Sequence, residues 1–258
     1  HGENLFAAPF PSLIIASGRS SAQIAASLKK QHPQTKTIYL MDPRMDVRAF
    51  DHVIAPAHDT LRGPNVIESL GMLNRVTPEI LKAEGEKFAP QFEHLKGKRI
   101  ALLIGGASKH YAMDEKVLLK LGKSLKEIHH AMPLSLMITF SRRTTPEQRK
   151  IFMEAIEGVP AYIWDEKPPN PYFALLSLAD FIITTQDSTS MVTEACGTGK
   201  PVYVVELEGS SAKFDLFYRQ LNQRGAIDFF KGILLDFKSR PLQETKRIAE
   251  GLKKLWKS

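Results

Sequence analysis

The sequence predicts an α/β protein built on parallel sheets. Three observations carry that reading. From Ser12 onward, short runs rich in Ile and Val alternate with segments of helical period. The runs are followed by polar or glycine-containing loops, as strands in a doubly wound sheet are. Two threonine–proline pairs, Thr77-Pro78 and Thr145-Pro146, have the form of an N-cap with proline in the first helical position.

Taken in order, the strands are expected at Leu13 to Ala16, Thr37 to Leu40 and His52 to Ala55, with a helix from Ser21 to Lys30 between the first two. Thr77-Pro78 opens a long helix running toward His94, and Lys96-Gly97-Lys98 reads as a linker. The alternation then restarts. Strands are expected at Arg99 to Ile104, Leu134 to Phe140, Tyr162 to Trp164, Phe181 to Thr185 and Val202 to Val205. Between them lie helices at Asp114 to Ala131, Thr145 to Ile156, Tyr172 to Leu178 and Met191 to Cys196, and a last helix covers Leu242 to Trp256. The expected organisation is therefore a first Rossmann-like domain over 1–96, a second over 97–239, and a terminal helix at 240–258 packing back on the first. The stretch His1 to Pro11 runs almost directly into Leu13-Ile14-Ile15-Ala16 without the strand and helix that usually precede such a strand, so the first domain is expected to be incomplete and sequence to be missing there.

A chain of 258 residues, 43% hydrophobic and 24% charged, can bury two ordinary cores. The net charge of +7 is concentrated at the end, where Arg240, Lys246, Arg247, Lys253, Lys254 and Lys257 face only Glu244 and Glu250. Such a tail fits an anionic partner, a phosphate-bearing small molecule or an acidic membrane surface, or else is a solvated helix face. It does not by itself argue for nucleic acid, and none is expected as a partner. The single cysteine, Cys196, excludes an internal disulfide and a cysteine-based zinc framework, which suits a reducing compartment. The longest apolar runs fall well short of the ~20 residues that cross a bilayer, and the N-terminal stretch lacks a signal-peptide pattern. The expected location is the cytoplasm, or the periphery of the inner membrane.

Ligands of open α/β sheets bind beyond the carboxyl ends of the strands. Gly105-Gly106-Ala107-Ser108-Lys109 follows one expected strand: paired glycines give backbone access and Lys109 a positive charge, although a plain tight turn reads the same way. Ser141-Arg142-Arg143-Thr144-Thr145 follows another and sets two guanidinium forks at a helix start, a pattern suited to phosphate oxygens. Asp187, Ser188, Thr189 and Ser190 lead into a third helix, whose N-terminus favours an anion. Glu194, four residues past Ser190, suits ribose hydroxyls because a carboxylate only accepts; alternatively it closes a capping box, and Asp187 or Ser188 act as local caps. In the first half, His58-Asp59 follows a strand, where imidazole could serve as general base or be an ordinary polar group. Arg19, Arg44 and Arg62 are phosphate ligands or loop anchors, and Asn65 ties a loop down. No Walker A, Gly-x-Gly-x-x-Gly, His-Glu-x-x-His or Gly-x-Ser-x-Gly pattern occurs, and no metal site is expected.

The segment from Asp187-Ser188 through Gly199-Lys200-Pro201-Val202 resembles the sugar-nucleotide site of GT-B glycosyltransferases and of non-hydrolysing sugar-nucleotide epimerases. Joined with Ser17-Gly18-Arg19, Asp42-Pro43-Arg44, Phe50-Asp51, Pro56-Ala57-His58-Asp59, Arg62-Gly63-Pro64-Asn65-Val66, Gly105-Gly106, Ser141-Arg142-Arg143-Thr144 and Asn170-Pro171-Tyr172-Phe173, it resembles the mitochondrial fission (elongated-mitochondria) family, regarded as GT-B type glycosyltransferases, in its bacterial branch. The resemblance covers about Pro11 to Leu207, and Gly2-Glu3-Asn4 matches part of the family's N-terminal loop. It implies two Rossmann-like domains, a nucleotide-sugar donor held by the second and an unidentified acceptor entering from the first, with no further cofactor. The expected function is glycosyl transfer; the alternatives are a non-catalytic scaffold that uses the basic tail at a membrane, and a sugar-nucleotide epimerase or hydrolase.

Overall fold

Strand β1 (Leu13–Ser17), helix α1 (Arg19–Gln31) and strands β2 (Lys36–Leu40), β3 (His52–Pro56) and β4 (Val66–Ser69) form a four-stranded parallel sheet in that order. The computed structural model describes residues 10–256, so what was expected of Gly2-Glu3-Asn4 lies outside the described residues. Small residues on one face of α1, Ala22 and Ala25, let it sit close on Tyr39, Phe50 and Val53. Asp51 binds this layer together: it accepts from the Thr37 backbone N–H at 2.7 Å and hydroxyl at 2.9 Å and pairs with Lys29 at 2.9 Å. Burial pushes its pKa up, but Lys29 and Thr37 outweigh burial and hold it below the ordinary carboxylate value. Asn65 does tie its loop down, donating to the carbonyls of Val47 and Phe50 at 2.8 Å each. The fourth strand is an addition to the three expected, a four-residue run at the sheet edge.

The second sheet holds six parallel strands. In chain order the elements are α2 (Pro78–Phe88), β5 (Lys98–Ile104), β6 (Tyr111–Ala112), α3 (Glu115–Ala131), β7 (Leu134–Phe140), α4 (Pro146–Ala155), β8 (Ala161–Ile163), α5 (Tyr172–Leu178), β9 (Phe181–Thr185), α6 (Thr189–Cys196), β10 (Val202–Val205), β11 (Glu208–Gly209), α7 (Ala212–Gln223) and β12 (Asp228–Phe229). The strand order is β12-β10-β9-β5-β7-β8, while β6 and β11 pair apart as a small antiparallel ribbon. Ile100 to Ile104 are all fully buried, as a parallel strand covered on both faces must be. Ile100, Leu102 and Ile104 pack with Leu118, Leu121 and Leu125 of α3 and Phe152 of α4. From β5 the chain winds outward through β7 to β8, then crosses to β9 on the other side of β5. That reversal makes the space beyond the ends of β5 and β9 the topological switch point, where ligands of this sheet type bind.

The chain divides at Gly71/Met72 rather than at 96/97: one unit runs to Gly71 and resumes from Ile248, and the other spans Met72–Arg247. The cause is local packing. The Met72 N–H donates to Thr193 of α6 at 3.3 Å, Asn74 exchanges hydrogen bonds with Thr245, and Gly85 of α2 lies so close to Ser177 that a Cβ would meet its hydroxyl. Lys96-Gly97-Lys98 is therefore the approach to β5 and no domain linker, and α2 stops at Phe88 because Pro90 interrupts its ladder. Helix α8 (Glu244–Leu255) starts in the second unit and belongs to the first from Ile248 onward. Ile248 and Leu252 are buried, Trp256 lies 6.0 Å from the His52 ring, and Leu255 is exposed. Among the described residues no helix is long and apolar enough to cross a membrane.

Lys200 closes the end of α5 by donating its ammonium to the carbonyls of Ser177 and Ala179. Burial pulls its pKa down to about 8. The unfolded chain then keeps a proton that the folded chain releases, so between pH 8 and 10.5 this group makes stability rise with pH, by up to roughly 1.4 kcal/mol per pH unit. Thermal unfolding of the unaltered chain and Lys200→Met across that range is expected to show a difference that grows with pH; a constant difference contradicts the assignment.

Candidate functional site

The candidates from the sequence fall into two groups. His58 and Asp59 belong to the first unit, and Gly105 through Glu194 to the second. His58 sits on the short 3-10 turn after β3 and is 3% exposed, with its Nε2 4.0 Å from Asp59 Oδ1. It is a buried imidazole beside a carboxylate, neither on a strand nor on an open surface. Arg44 pairs with Asp42 and Arg62 with Glu68, as loop anchors do.

In the second unit, the adjacency of β9, β5 and β7 brings the three candidate loops side by side. Asp187 is the hub. Its side chain has no exposed surface, and it accepts from Thr185 Oγ1 at 2.6 Å, the Gly106 N–H at 3.2 Å and Arg143 Nη2 at 2.6 Å. Thr185 Oγ1 in turn accepts from the Gly105 N–H at 2.7 Å, and Thr144 donates to the Gly105 carbonyl at 2.5 Å. The loops after all three strands are thus fastened to one another through one carboxylate. A Cβ at Gly105 would fall on that carboxylate, and one at Gly106 on the Arg143 backbone. The two glycines are required by this close approach.

These bonds correct four expectations. The N–H groups of Gly105 and Gly106 are given to protein acceptors, Thr185 Oγ1 and Asp187, rather than left open. Asp187 is a structural carboxylate; the cap of α6 is Ser188, whose Oγ accepts from the Met191 N–H at 3.3 Å. Arg143 is held by Asp187, and Ser141 is spent inside its loop, accepting from the Arg143 N–H at 3.1 Å. Lys109 and Arg142 are different. Both are exposed, on the loops after β5 and β7, and Arg142 makes no hydrogen bond or ion pair among the described residues.

Helix α6 supplies the rest. Thr189 and Ser190 are its first two residues, so their N–H groups have no acceptor within the helix. Ser190 is exposed, and Thr189 uses its carbonyl to receive the Thr193 hydroxyl. Glu194 is six residues past the cap, which removes the capping-box alternative, since that role belongs three residues in, where Met191 stands. Its Oε2 receives the Tyr172 hydroxyl at 2.7 Å, and Arg75, stacked 5.4 Å over the Phe173 ring, is near enough to act on its charge. Half-burial pushes the Glu194 pKa above the ordinary value against the pull of Tyr172 and Arg75, while burial and the carboxylate beside it push the Tyr172 pKa well up. The arrangement offers an anion two free helix N–H groups and two exposed cations, and offers hydroxyls one oriented carboxylate. Tyr172 entered the sequence analysis only within Asn170-Pro171-Tyr172-Phe173 and Arg75 not at all, because their roles arise from packing across 22 residues and more. Among the described residues no group of His, Cys, Asp and Glu is arranged to hold a metal.

Comparison with known proteins gives this site its context. A protein of Rickettsia prowazekii is 29% identical over 94% of this chain and 79% of its own length. The Arabidopsis thaliana mitochondrial fission protein ELM1 is 29% identical over 86% of the chain, which spans 58% of that relative. Among solved structures, UDP-GlcNAc 2-epimerase from Methanocaldococcus jannaschii superposes with a TM-score of 0.59 at 13% identity, covering 94% of this chain and 77% of that one. The same enzyme in complex with UDP-GlcNAc and UDP gives 0.53 at 15% identity, with 94% and 76% covered. The fold is the GT-B type, two Rossmann-like parallel-sheet domains, of which the first is here the smaller. The family model described as Mitochondrial fission ELM1 matches residues 1–256, and the chain belongs to that family.

Proposed function

We propose that the chain is a nucleotide-sugar-dependent glycosyltransferase of GT-B type whose second unit holds the donor. The observation that carries this reading is Glu194, a half-buried carboxylate with one oxygen fixed, on the helix that starts at the switch point of the sheet. In this role Glu194 accepts from the ribose diol, the N–H groups of Thr189 and Ser190 with the Ser188 and Ser190 hydroxyls receive the diphosphate, and Arg142 and Lys109 neutralise it. Charge developing on the departing diphosphate would meet the positive end of α6 and these two side chains, which is how the protein's own groups lower the barrier. The binding of UDP and UDP-GlcNAc by a neighbour of the same fold supports the choice of ligand class.

A second reading, a scaffold without turnover, is favoured by one feature: Arg143 and the Gly106 N–H are consumed by Asp187 and the Gly105 N–H by Thr185, although all three are anion donors by type. The two readings part in a thermal-shift screen of the full chain against UDP, GDP, ADP, CMP and their sugar conjugates. A ligand present at 100 times its Kd stabilises by about 2.7 kcal/mol, a shift of several degrees. One nucleotide family is expected to produce it; no shift with any of them contradicts the donor site and favours the scaffold.

A further inference from the structure

Tyr172 stands at the first position of α5, and its placement there is set by the sequence before it. Asn170 accepts the Tyr172 N–H through Oδ1 at 2.9 Å, and Pro171, with its restricted backbone, provides the carbonyl that receives the Leu175 N–H. The Tyr172 hydroxyl is thereby delivered to Glu194 Oε2 at 2.7 Å, while among the described residues no hydrogen bond reaches Oε1. A half-buried glutamate has two oxygens and three side-chain torsions. With one oxygen held, the other is presented in a fixed direction.

We propose that Tyr172 is a positioning residue for nucleotide binding: by donating to Oε2 it fixes the Glu194 carboxylate and leaves Oε1 for a vicinal diol of the ligand. The proposal rests on the nucleotide-binding reading above. The hydroxyl also matters electrostatically. The groups that act on Glu194 are Tyr172 from α5 and Arg75 from the segment before α2; Cys196, two residues on along α6, turns its buried thiol to the Ala226 carbonyl instead. Tyr172 and Arg75 both favour the ionised carboxylate against burial. Removing the hydroxyl withdraws one of the two, so the carboxylate should hold its proton to higher pH and bind a diol less well at the acid end.

The test uses Tyr172→Phe and Glu194→Gln in the full chain. Carbon-13 NMR of the glutamate side chains gives the titration midpoint of Glu194, and calorimetric titration with UDP, GDP, ADP and CMP between pH 5.5 and 8.5 gives affinity. In Tyr172→Phe the midpoint is expected to rise by about one pH unit. Affinity is expected to fall by up to tenfold toward the acid end of that range and by less at pH 8.5. A midpoint that does not move, or an affinity loss equal at every pH, overturns the proposal and makes Tyr172 a packing residue. If Tyr172→Phe binds as the unaltered chain does while Glu194→Gln does not bind, the positioning role fails and the donor site stands. If the unaltered chain binds none of the four nucleotides, the donor site fails and the proposal with it.

Discussion

Asp187→Ala is expected to lower the stability of the second unit by about 3 kcal/mol, the largest effect of any single side chain in the site. The carboxylate is fully covered and takes three hydrogen bonds, one from a guanidinium, and bonds to a charged group contribute roughly 1.5–3 kcal/mol each before non-additivity is counted. Its loss leaves the Gly106 N–H without its acceptor and unfastens the loops after β5, β7 and β9 together. Gly105→Ala should do similar damage from the other side, because its methyl group would occupy the space of the carboxylate. Arg143→Ala should cost less, since the arginine side chain is 43% exposed and water can replace part of what it gives. Chemical or thermal denaturation of the three variants orders them. Asp187→Ala at or below the cost of Arg143→Ala contradicts the hub.

Glu194→Gln is expected to weaken nucleotide binding about 100-fold with no loss of stability. Glutamine keeps the shape and still accepts the Tyr172 hydroxyl, but its amide cannot accept from both hydroxyls of a diol as a carboxylate does. Two weakened bonds to a charged acceptor account for a factor of that size. Stability should stay level or rise slightly, because burial of the charge, which raises the Glu194 pKa, no longer opposes folding. Calorimetry and unfolding on the same variant check both halves. A stability loss with unchanged binding would place Glu194 among the structural residues.

Much of the fold was legible because parallel strands covered on both faces are unbroken apolar runs. Leu134 to Phe140, Phe181 to Thr185 and Val202 to Val205 have the bounds expected of them, as does α5. The pieces that escaped are short or at an edge. Strand β4 has four residues, β6, β11 and β12 have two each, and helix α7 went unread although Gly209-Ser210-Ser211 stand at its start. The domain boundary was misplaced because Lys96-Gly97-Lys98 has the composition of a linker, whereas the true division depends on hydrogen bonds from Met72 and Asn74 to residues more than a hundred positions away. The site was legible as a set of loops but not as a set of roles. Glycines, arginines and an aspartate at strand ends look like anion ligands in sequence, and only the geometry separates those spent within the protein, Gly105, Gly106, Arg143 and Asp187, from those left open, Lys109, Arg142, Ser190 and one oxygen of Glu194. The role of Tyr172, quoted in sequence only within Asn170-Pro171-Tyr172-Phe173, depends on its pairing with Glu194 across 22 residues.

A crystal structure of the full chain with a bound nucleoside diphosphate tests the central claim most directly. The expected result is a ribose whose hydroxyls meet Glu194 Oε1, a diphosphate at the N–H groups of Thr189 and Ser190, and Arg142 or Lys109 turned onto it, with the Arg143–Asp187 pair intact. A nucleotide seated elsewhere on the second unit, or one whose diphosphate displaces Asp187 from Arg143, would contradict it.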